Sequence, residues 1–219
     1  MTTVKLDILS DPICPWCYIG KTQLDKALAE LPQHPFAIEW HPFQLNPEMP
    51  VEGMDRRAYL EAKFGGKDGA VRAYAPVVEH AEKIGLKIDF EGMQRTPNTL
   101  DAHRLIHWAG IEEKQDKAVQ ALFEAYFTKA RDIGDHEVLA EIATEIGMDG
   151  DVVRRLLAGE SDREEIQNRD AHSRKMGVSS VPTHIVANQH VVPGAQTAEM
   201  WKQVICDILE QLQQAGDPQ

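Results

Sequence analysis

Two prolines in the first turn-forming stretch, Pro12 and Pro15, divide the start of this chain into a strand and a helix and leave it few alternatives. Ahead of them Val4 to Leu9 alternates apolar and polar side chains, the period of a half-buried strand. Ser10-Asp11-Pro12 ends the alternation. Proline has no N–H and holds φ near the helical value, so Pro15 suits the first position of a helix. Cys17, Gly20, Leu24, Leu28 and Leu31 then recur every three or four residues, a stripe laid against a core, until Pro32 and Pro35 close the helix. Phe36 to Phe43 follows as a second strand with Phe36, Ile38 and Trp40 on one face. A strand, a helix and a strand in that order predict parallel pairing with a right-handed crossover.

Strand signals stop at Asn46-Pro47-Glu48-Met49-Pro50, and helical signals continue to about Met176. Asp55 is an N-cap, and Thr96-Pro97 reads as a cap followed by proline at the first helical position. Asp135 opens a segment with Val138, Leu139, Ile142 and Ile146 inward, closed by Gly147. Asp149 opens another with Val152, Val153, Leu156 and Leu157 inward, and Ser161-x-x-Glu164 has the spacing of a capping box. A structureless loop of that length is implausible inside a compact protein, so a helical insertion over 47–176 is predicted. Strands return at Thr183 to Ala187 and His190 to Val192, with the turn placed at Asn188-Gln189. The last helix carries Trp201, Val204, Ile205, Ile208, Leu209 and Leu212, ahead of a frayed tail from Ala215 to Gln219. The order is therefore βαβ, helices, ββα. Residues 1–46 and 177–219 together form one α/β domain around a four-stranded sheet.

The chain of 219 residues is 42% hydrophobic, enough for a packed core, and its formal net charge of -12 repels phosphate backbones and anionic membrane surfaces. Nucleic acid and membranes are excluded as partners on that ground. The start, Met1 to Ile8, lacks the basic segment, apolar run and cleavage site of a secretory signal, so a cytoplasmic protein is the expectation.

Three cysteines do not make a disulfide framework, yet two of them stand in one tetrad, Cys14-Pro15-Trp16-Cys17, where the strand becomes the helix. Cys14 falls at or beside the N-cap, its sulfur near amide hydrogens that have no helical partner. Those dipoles favour thiolate over thiol and make Cys14 both nucleophile and leaving group. At the helix start Cys14 is expected to be exposed, and Cys17, one turn on and deeper, is placed to attack a mixed disulfide on Cys14. A zinc site needs four ligands, and no second Cys or Cys/His pair supplies them. Disulfide exchange is the chemistry this arrangement supports, with neither metal nor bound organic cofactor.

Five further stretches complete a pattern: Ser10-Asp11 with Tyr18-Ile19-Gly20-Lys21 around the tetrad; Trp40-His41-Pro42-Phe43-Gln44-Leu45-Asn46-Pro47; Asn98-Thr99 with Ala102-His103-Arg104; Ala125-Tyr126-Phe127; and Gly177-Val178 with Val181-Pro182 and Gly194-Ala195-Gln196. In these the chain resembles the DsbA-like thioredoxin-fold oxidoreductases, in their FrnE-like branch. The resemblance implies a thioredoxin fold with strand order 4-3-1-2, the third strand antiparallel, interrupted by a large all-helical insertion. It implies Cys14 as attacking and Cys17 as resolving thiol, Pro182 as a cis-proline facing them, and Val181 as a backbone partner for extended substrates. Pro15 and Trp16 lie between the cysteines, where the family tunes redox poise, and Asn98, His103 and Arg104 line a groove above Cys14. Protein or peptide thiols and disulfides are the implied substrates, with glutathione as a small partner left open. Periplasmic members carry a signal peptide and a histidine before the second cysteine, so a strongly oxidising role is not implied. Kappa-type glutathione transferases and 2-hydroxychromene-2-carboxylate isomerases share the fold with serine in place of the first cysteine; a glutathione-dependent isomerase is the alternative reading.

Other residues admit second roles. His103 and His107 have the spacing of two metal ligands on one helix face but lack further ligands, and a helix surface or cleft wall is the simpler reading. His41 is either a partner of Cys14 or a core histidine. Glu39 is either a buried proton acceptor near Cys17 or an exposed edge residue. Cys206 reads as a half-buried free thiol. Tyr59, Phe64, Tyr126 and Phe127 are either core or a surface for unfolded chains, which would make the protein a binding module whose cysteines sense redox state.

Overall fold

The computed structural model describes residues 3–216. Its centre is a four-stranded sheet. Strand β1 (Val4–Ser10) pairs in parallel with β2 (Phe36–Pro42), in register from Val4 opposite Phe36 to Ser10 opposite Pro42, and the crossover between them is helix α1 (Pro15–Glu30). Seven helices later the chain returns to the sheet as β5 (Thr183–Val186), antiparallel to β1, and β6 (His190–Pro193), antiparallel to β5. The strand order β2-β1-β5-β6 is that of the predicted sheet.

Alternation along the strands decides what lies on each face. Leu6 and Ile8 of β1 share a face with Phe36, Trp40 and His184, and on this face Trp201 of α9 (Ala198–Gly216) meets Phe36 and His184 edge-on. Helix α1 packs beside α9. The opposite face carries Asp7, Leu9, His41 and Ile185 and is covered by α8 (Arg163–Lys175) across a cavity of about 550 Å³. Helix α9 runs through Ala215 and Gly216, where a frayed tail was expected; Asp217 to Gln219, like Met1 and Thr2, lie outside the described residues.

Between β2 and β5 stand α2 (Arg56–Phe64), α3 (Lys67–Lys83), α4 (Leu100–Ile111), α5 (Gln115–Phe123), α6 (His136–Glu145), α7 (Gly150–Leu157) and then α8. Helix α5 continues as one turn of π-helix, Glu124–Thr128, that turns Tyr126 and Phe127 inward. Helices α4 to α7 share one hydrophobic core with the sheet, and Val77 and Ala81 of α3 form a second, smaller cluster with Ile19 of α1. Tyr18 of α1 stacks on Phe123 at 5.1 Å and on Phe127 at 5.5 Å, so the redox helix is anchored to the insertion by aromatic contact.

Asp55, Asp135 and Asp149 cap α2, α6 and α7 through their carboxylates, as their positions predict. Gly147 adopts φ of 84° just beyond α6, the left-handed conformation that ends helices.

Elsewhere tertiary structure overrides local signals. Thr96 does not cap α4: the residue before a proline favours extended backbone, and Arg95–Thr96 forms a short strand, β4, antiparallel to β3 (Met54–Asp55). Helix α4 starts after Thr99, where the Asn98 side chain accepts from the Leu100 amide. The Ser161 capping box does not form either. The Ser161 carbonyl accepts from Arg104 Nε, the Asp162 carboxylate accepts from Trp108 Nε1, and Asp162 enters α8 with φ of 58°. Val152 turns outward on α7 while Val153 and Leu157 are buried. The β5–β6 turn is centred on Ala187-Asn188, one residue earlier than expected; both have positive φ, and the Gln189 amide donates to the Val186 carbonyl.

Candidate active site

Cys14 is the N-cap residue of α1, with φ of -86° and ψ of 114°, and Pro15 opens the helix. The Cys14 carbonyl accepts from the Cys17 and Tyr18 amides, while the Cys14 amide donates to the Asp11 carbonyl at 2.9 Å. Both thiols are free. Cys14 is 4% exposed, not open to solvent as the helix-start position suggested, because its sulfur sits 3.6 Å from the Val181 carbonyl oxygen. The Val181–Pro182 peptide is cis. Gly20 allows Pro182 to sit this close to α1, since a Cβ on Gly20 would lie 3.2 Å from Pro182 Cγ.

Cys17 is buried a turn deeper. Burial, with Cys14 beside it, pushes the Cys17 thiol well above its ordinary range, against weaker opposition from the Ser10 hydroxyl and the Asp11 backbone. Cys17 is therefore a protonated thiol at neutral pH. Trp16 is half-buried, its ring 5.1 Å from that of His80 on α3.

The other predicted residues lie in three places. Asn98 donates to the Met49 carbonyl at 2.6 Å and accepts from Leu100 N and Gln44 Nε2, fastening the loop after β2 to the start of α4. His103 is buried on α4. Arg104 points away from the cysteines to the end of α7, where it donates to the carbonyls of Leu156, Leu157, Gly159 and Ser161 and pairs with Asp101. His107 approaches Arg169, and its carboxylate neighbours are Asp162 and Glu165, so it shares no site with His103.

His41 and Glu39 lie on the α8 face of the sheet or at its edge. His41 meets Asp7 at 2.6 Å and Arg169 at 3.1 Å, and Glu39 pairs with Lys5 at 3.1 Å. Cys206 is exposed rather than half-buried, one residue past the fully buried Ile205. Tyr126 and Phe127 belong to the core, and Tyr59 and Phe64 are half-buried.

The buried acid near the cysteines is Asp11, not Glu39. Its carboxylate accepts from the Leu45 amide at 2.6 Å and the Ile13 amide at 3.3 Å. Burial outweighs these bonds and pushes the carboxyl up to about 7. His103 Nε2 stands 3.9 Å from Asp11 Oδ1, too far for a hydrogen bond, and has no other partner among the described residues. Burial lowers this imidazole to about 4. Asp11 stands in the stretch before the tetrad with nothing in the sequence to mark it as buried; that His103 faces it depends on α4, more than ninety residues on.

Proton counting gives this pair a testable signature. The raised Asp11 contributes stability that is fully present below its ordinary 3.8 and lost as pH rises to about 7. The lowered His103 contributes stability present above its ordinary 6.5 and lost as pH falls to about 4. Between those limits the unfolded chain carries one proton, on His103, and the folded chain carries one, on Asp11, so the two slopes cancel. His103→Phe should unmask Asp11: relative to wild type, stability from urea unfolding should fall by about 1.4 kcal/mol per pH unit at its steepest across this window. Parallel wild-type and variant profiles would contradict this protonation scheme.

A βαβ–ββα sheet, a Cys-Pro-Trp-Cys turn at the helix N-terminus and a cis-proline against the first cysteine define a dithiol protein of thioredoxin type. Residues 5–205 match the DSBA-like thioredoxin domain, and the chain belongs to that family. Among solved structures it is similar to a probable DsbA oxidoreductase, SCO1869, from Streptomyces coelicolor, with 28% identity, a TM-score of 0.83 and coverage of 93% of this chain and 89% of that one. It shares its fold with a 2-hydroxychromene-2-carboxylate isomerase, with 14% identity, a TM-score of 0.73 and coverage of 97% and 100%. It also shares it with the cytosolic disulfide reductase DsbM from Pseudomonas aeruginosa, solved with GSH, with 18% identity, a TM-score of 0.68 and coverage of 94% and 99%. No helix among the described residues is long and apolar enough to cross a membrane.

Proposed function

We propose that this protein is a thiol-disulfide oxidoreductase of the FrnE-like branch, working in the cytoplasm on protein or small-molecule disulfides. The observation that carries the reading is the asymmetry of the two thiols. Cys14 stands at the helix N-terminus with its sulfur on the Val181 carbonyl, while Cys17 is kept protonated a turn deeper. Cys14 thiolate attacks a substrate disulfide; a mixed disulfide forms on Cys14 and one substrate thiolate leaves. Cys17 gives up its proton and attacks the Cys14 sulfur, releasing the second substrate thiolate and closing the Cys14–Cys17 disulfide. Run backwards, the same steps oxidise a substrate dithiol.

The substrate lies along Val181-Pro182, taking the Val181 backbone as its partner in place of the Cys14 thiol. Pro15 and Trp16 set the relative stability of the two redox forms, and Asn98 and His103 hold the walls of the site. A glutathione-dependent isomerase has no use for a resolving thiol, which favours exchange.

Insulin reduction with glutathione as electron donor tests the proposal. Precipitation of the insulin B chain well ahead of the protein-free reaction is expected; a rate equal to the protein-free reaction would overturn the reading.

A further inference from the structure

Three Lys and Arg side chains are buried among the described residues: Lys21, Arg56 and Arg104. Lys21 is neutralised by Asp25 and Asp116, and Arg104 by Asp101. Arg56 meets no carboxylate among the described residues, although the chain as a whole carries a net charge of -12. It opens α2 and is 5% exposed. Nη1 donates to the Tyr126 hydroxyl at 2.8 Å and Nη2 to the Tyr74 hydroxyl at 3.1 Å, and the guanidinium lies 5.4 Å from the Tyr74 ring and 5.8 Å from the Tyr126 ring.

These partners orient the charge without cancelling it. Burial raises both phenols, Tyr126 to about 12, so neither is a phenolate at neutral pH. A buried cation without a counter-charge is costly, and a site that keeps one is complete only when an anion arrives. Two of the five guanidinium N–H groups are engaged, leaving the planar fork able to take a two-oxygen acceptor.

The space beside Arg56 fits such a ligand. A cavity of about 550 Å³ between α2 and α3 is lined by Leu60, Val71, Tyr74, Val78 and Phe90 with Arg56, a mostly apolar wall around a single cation. Glu79 and Glu82 stand on its rim, and Glu79 is tied to Lys83 at 2.7 Å. Trp16 of the tetrad reaches the neighbourhood of this cavity: its ring lies 5.1 Å from that of His80 on α3, and Trp16 and the cavity-lining Phe90 both pack against the small apolar cluster of Ile19, Val77 and Ala81.

We propose that Arg56 is the recognition point for the carboxylate of a low-molecular-weight disulfide whose sulfur is presented to Cys14, its methylene chain lying along the α2–α3 cavity. The inference rests on the exchange activity proposed above and names its preferred substrate class. Reduced protein and one such disulfide yield the Cys14–Cys17 disulfide and two small thiols; two electrons and two protons pass from the dithiol to the substrate.

The test is single-turnover oxidation of reduced protein by dithiodipropionate and by bis(hydroxyethyl) disulfide, each rate normalised to that of the same disulfide with dithiothreitol. Wild type should favour the dicarboxylate by about tenfold, the worth of one charge-assisted pair. Arg56→Gln should bring the ratio to about one, and Arg56→Lys, which keeps the charge but not the fork, to an intermediate value. Arg57→Gln, at an exposed arginine paired with Glu61, should keep the wild-type ratio. A wild-type ratio near one overturns the inference without need of any variant, as does an unchanged ratio in a folded Arg56→Gln protein; in both cases exchange itself stands. Failure to react with either disulfide overturns the exchange reading, and this inference with it.

Discussion

Cys14→Ser should lower insulin reduction by at least about a thousandfold, to the protein-free rate, because a serine hydroxyl is not ionised at neutral pH and cannot form a mixed disulfide. Cys17→Ser should fail differently. Cys14 still attacks, but nothing within the protein resolves the product, so the variant should accumulate as a covalent adduct with its substrate, visible on a non-reducing gel and released by dithiothreitol. The structure separates the two outcomes: Cys14 is the cap of α1 and Cys17 is a buried, protonated thiol behind it. Full activity in Cys14→Ser, or a stable adduct carried on Cys17, would reverse the assigned roles.

Arg104→Ala should destabilise the fold by about 3–5 kcal/mol, the range for removing one partner of a buried charge cluster. For a chain of this size that lowers Tm by about 10 °C. Arg104 is 0% exposed and closes the C-terminal end of α7: Nη2 donates to the Leu156 carbonyl at 2.6 Å and to Gly159 at 2.9 Å, and Nε donates to Ser161 at 2.7 Å. Carbonyls at a helix end have no partner within the helix, and a guanidinium there also meets the negative end of the dipole. Its Nη1 holds Asp101 at 2.8 Å. Burial alone would raise the Asp101 carboxyl, but hydrogen bonds from Arg104 and His136 and the charge of Arg163 hold it below its ordinary value. Alanine leaves these carbonyls buried without donors and weakens the hold on Asp101. Arg104→Lys should recover part of the loss, since one ammonium cannot reach every carbonyl the fork serves. Thermal unfolding followed by circular dichroism measures both variants, and a loss under about 1 kcal/mol for Arg104→Ala would show that this hub is not a main support of the insertion.

The elements that could be read from the sequence are those whose signals are local. The alternation of β1, the proline at the start of α1, and the aspartate caps of α2, α6 and α7 each lie within a few residues of the structure they specify. The misplaced features are those decided by distant partners. Ser161-x-x-Glu164 is a sound capping box in isolation, but Arg104 and Trp108, on another helix, claim the Ser161 carbonyl and the Asp162 carboxylate. Thr96 becomes a strand residue because Met54 lies opposite it.

The site divides in the same way. The cysteine tetrad and Val181-Pro182 are sequence motifs and could be named directly. Their close meeting, which buries Cys14, follows from strand pairing between β1 and β5, where Leu9 stands opposite Thr183. Asp11 and His103 each sit within a family motif, yet no spacing rule links residues so far apart. Arg56 carried no signal, because a buried arginine without a carboxylate is recognised only when its surroundings are known.

An equilibrium redox titration of the reduced protein in glutathione buffers, read by mass spectrometry of the trapped forms, shows whether Cys14 and Cys17 form one redox couple. A single two-electron transition is expected, in which the protein loses two hydrogens and peptide mapping joins Cys14 to Cys17, with Cys206 a free thiol throughout. Absence of a Cys14–Cys17 disulfide at any buffer ratio, or a disulfide that requires Cys206, would contradict it.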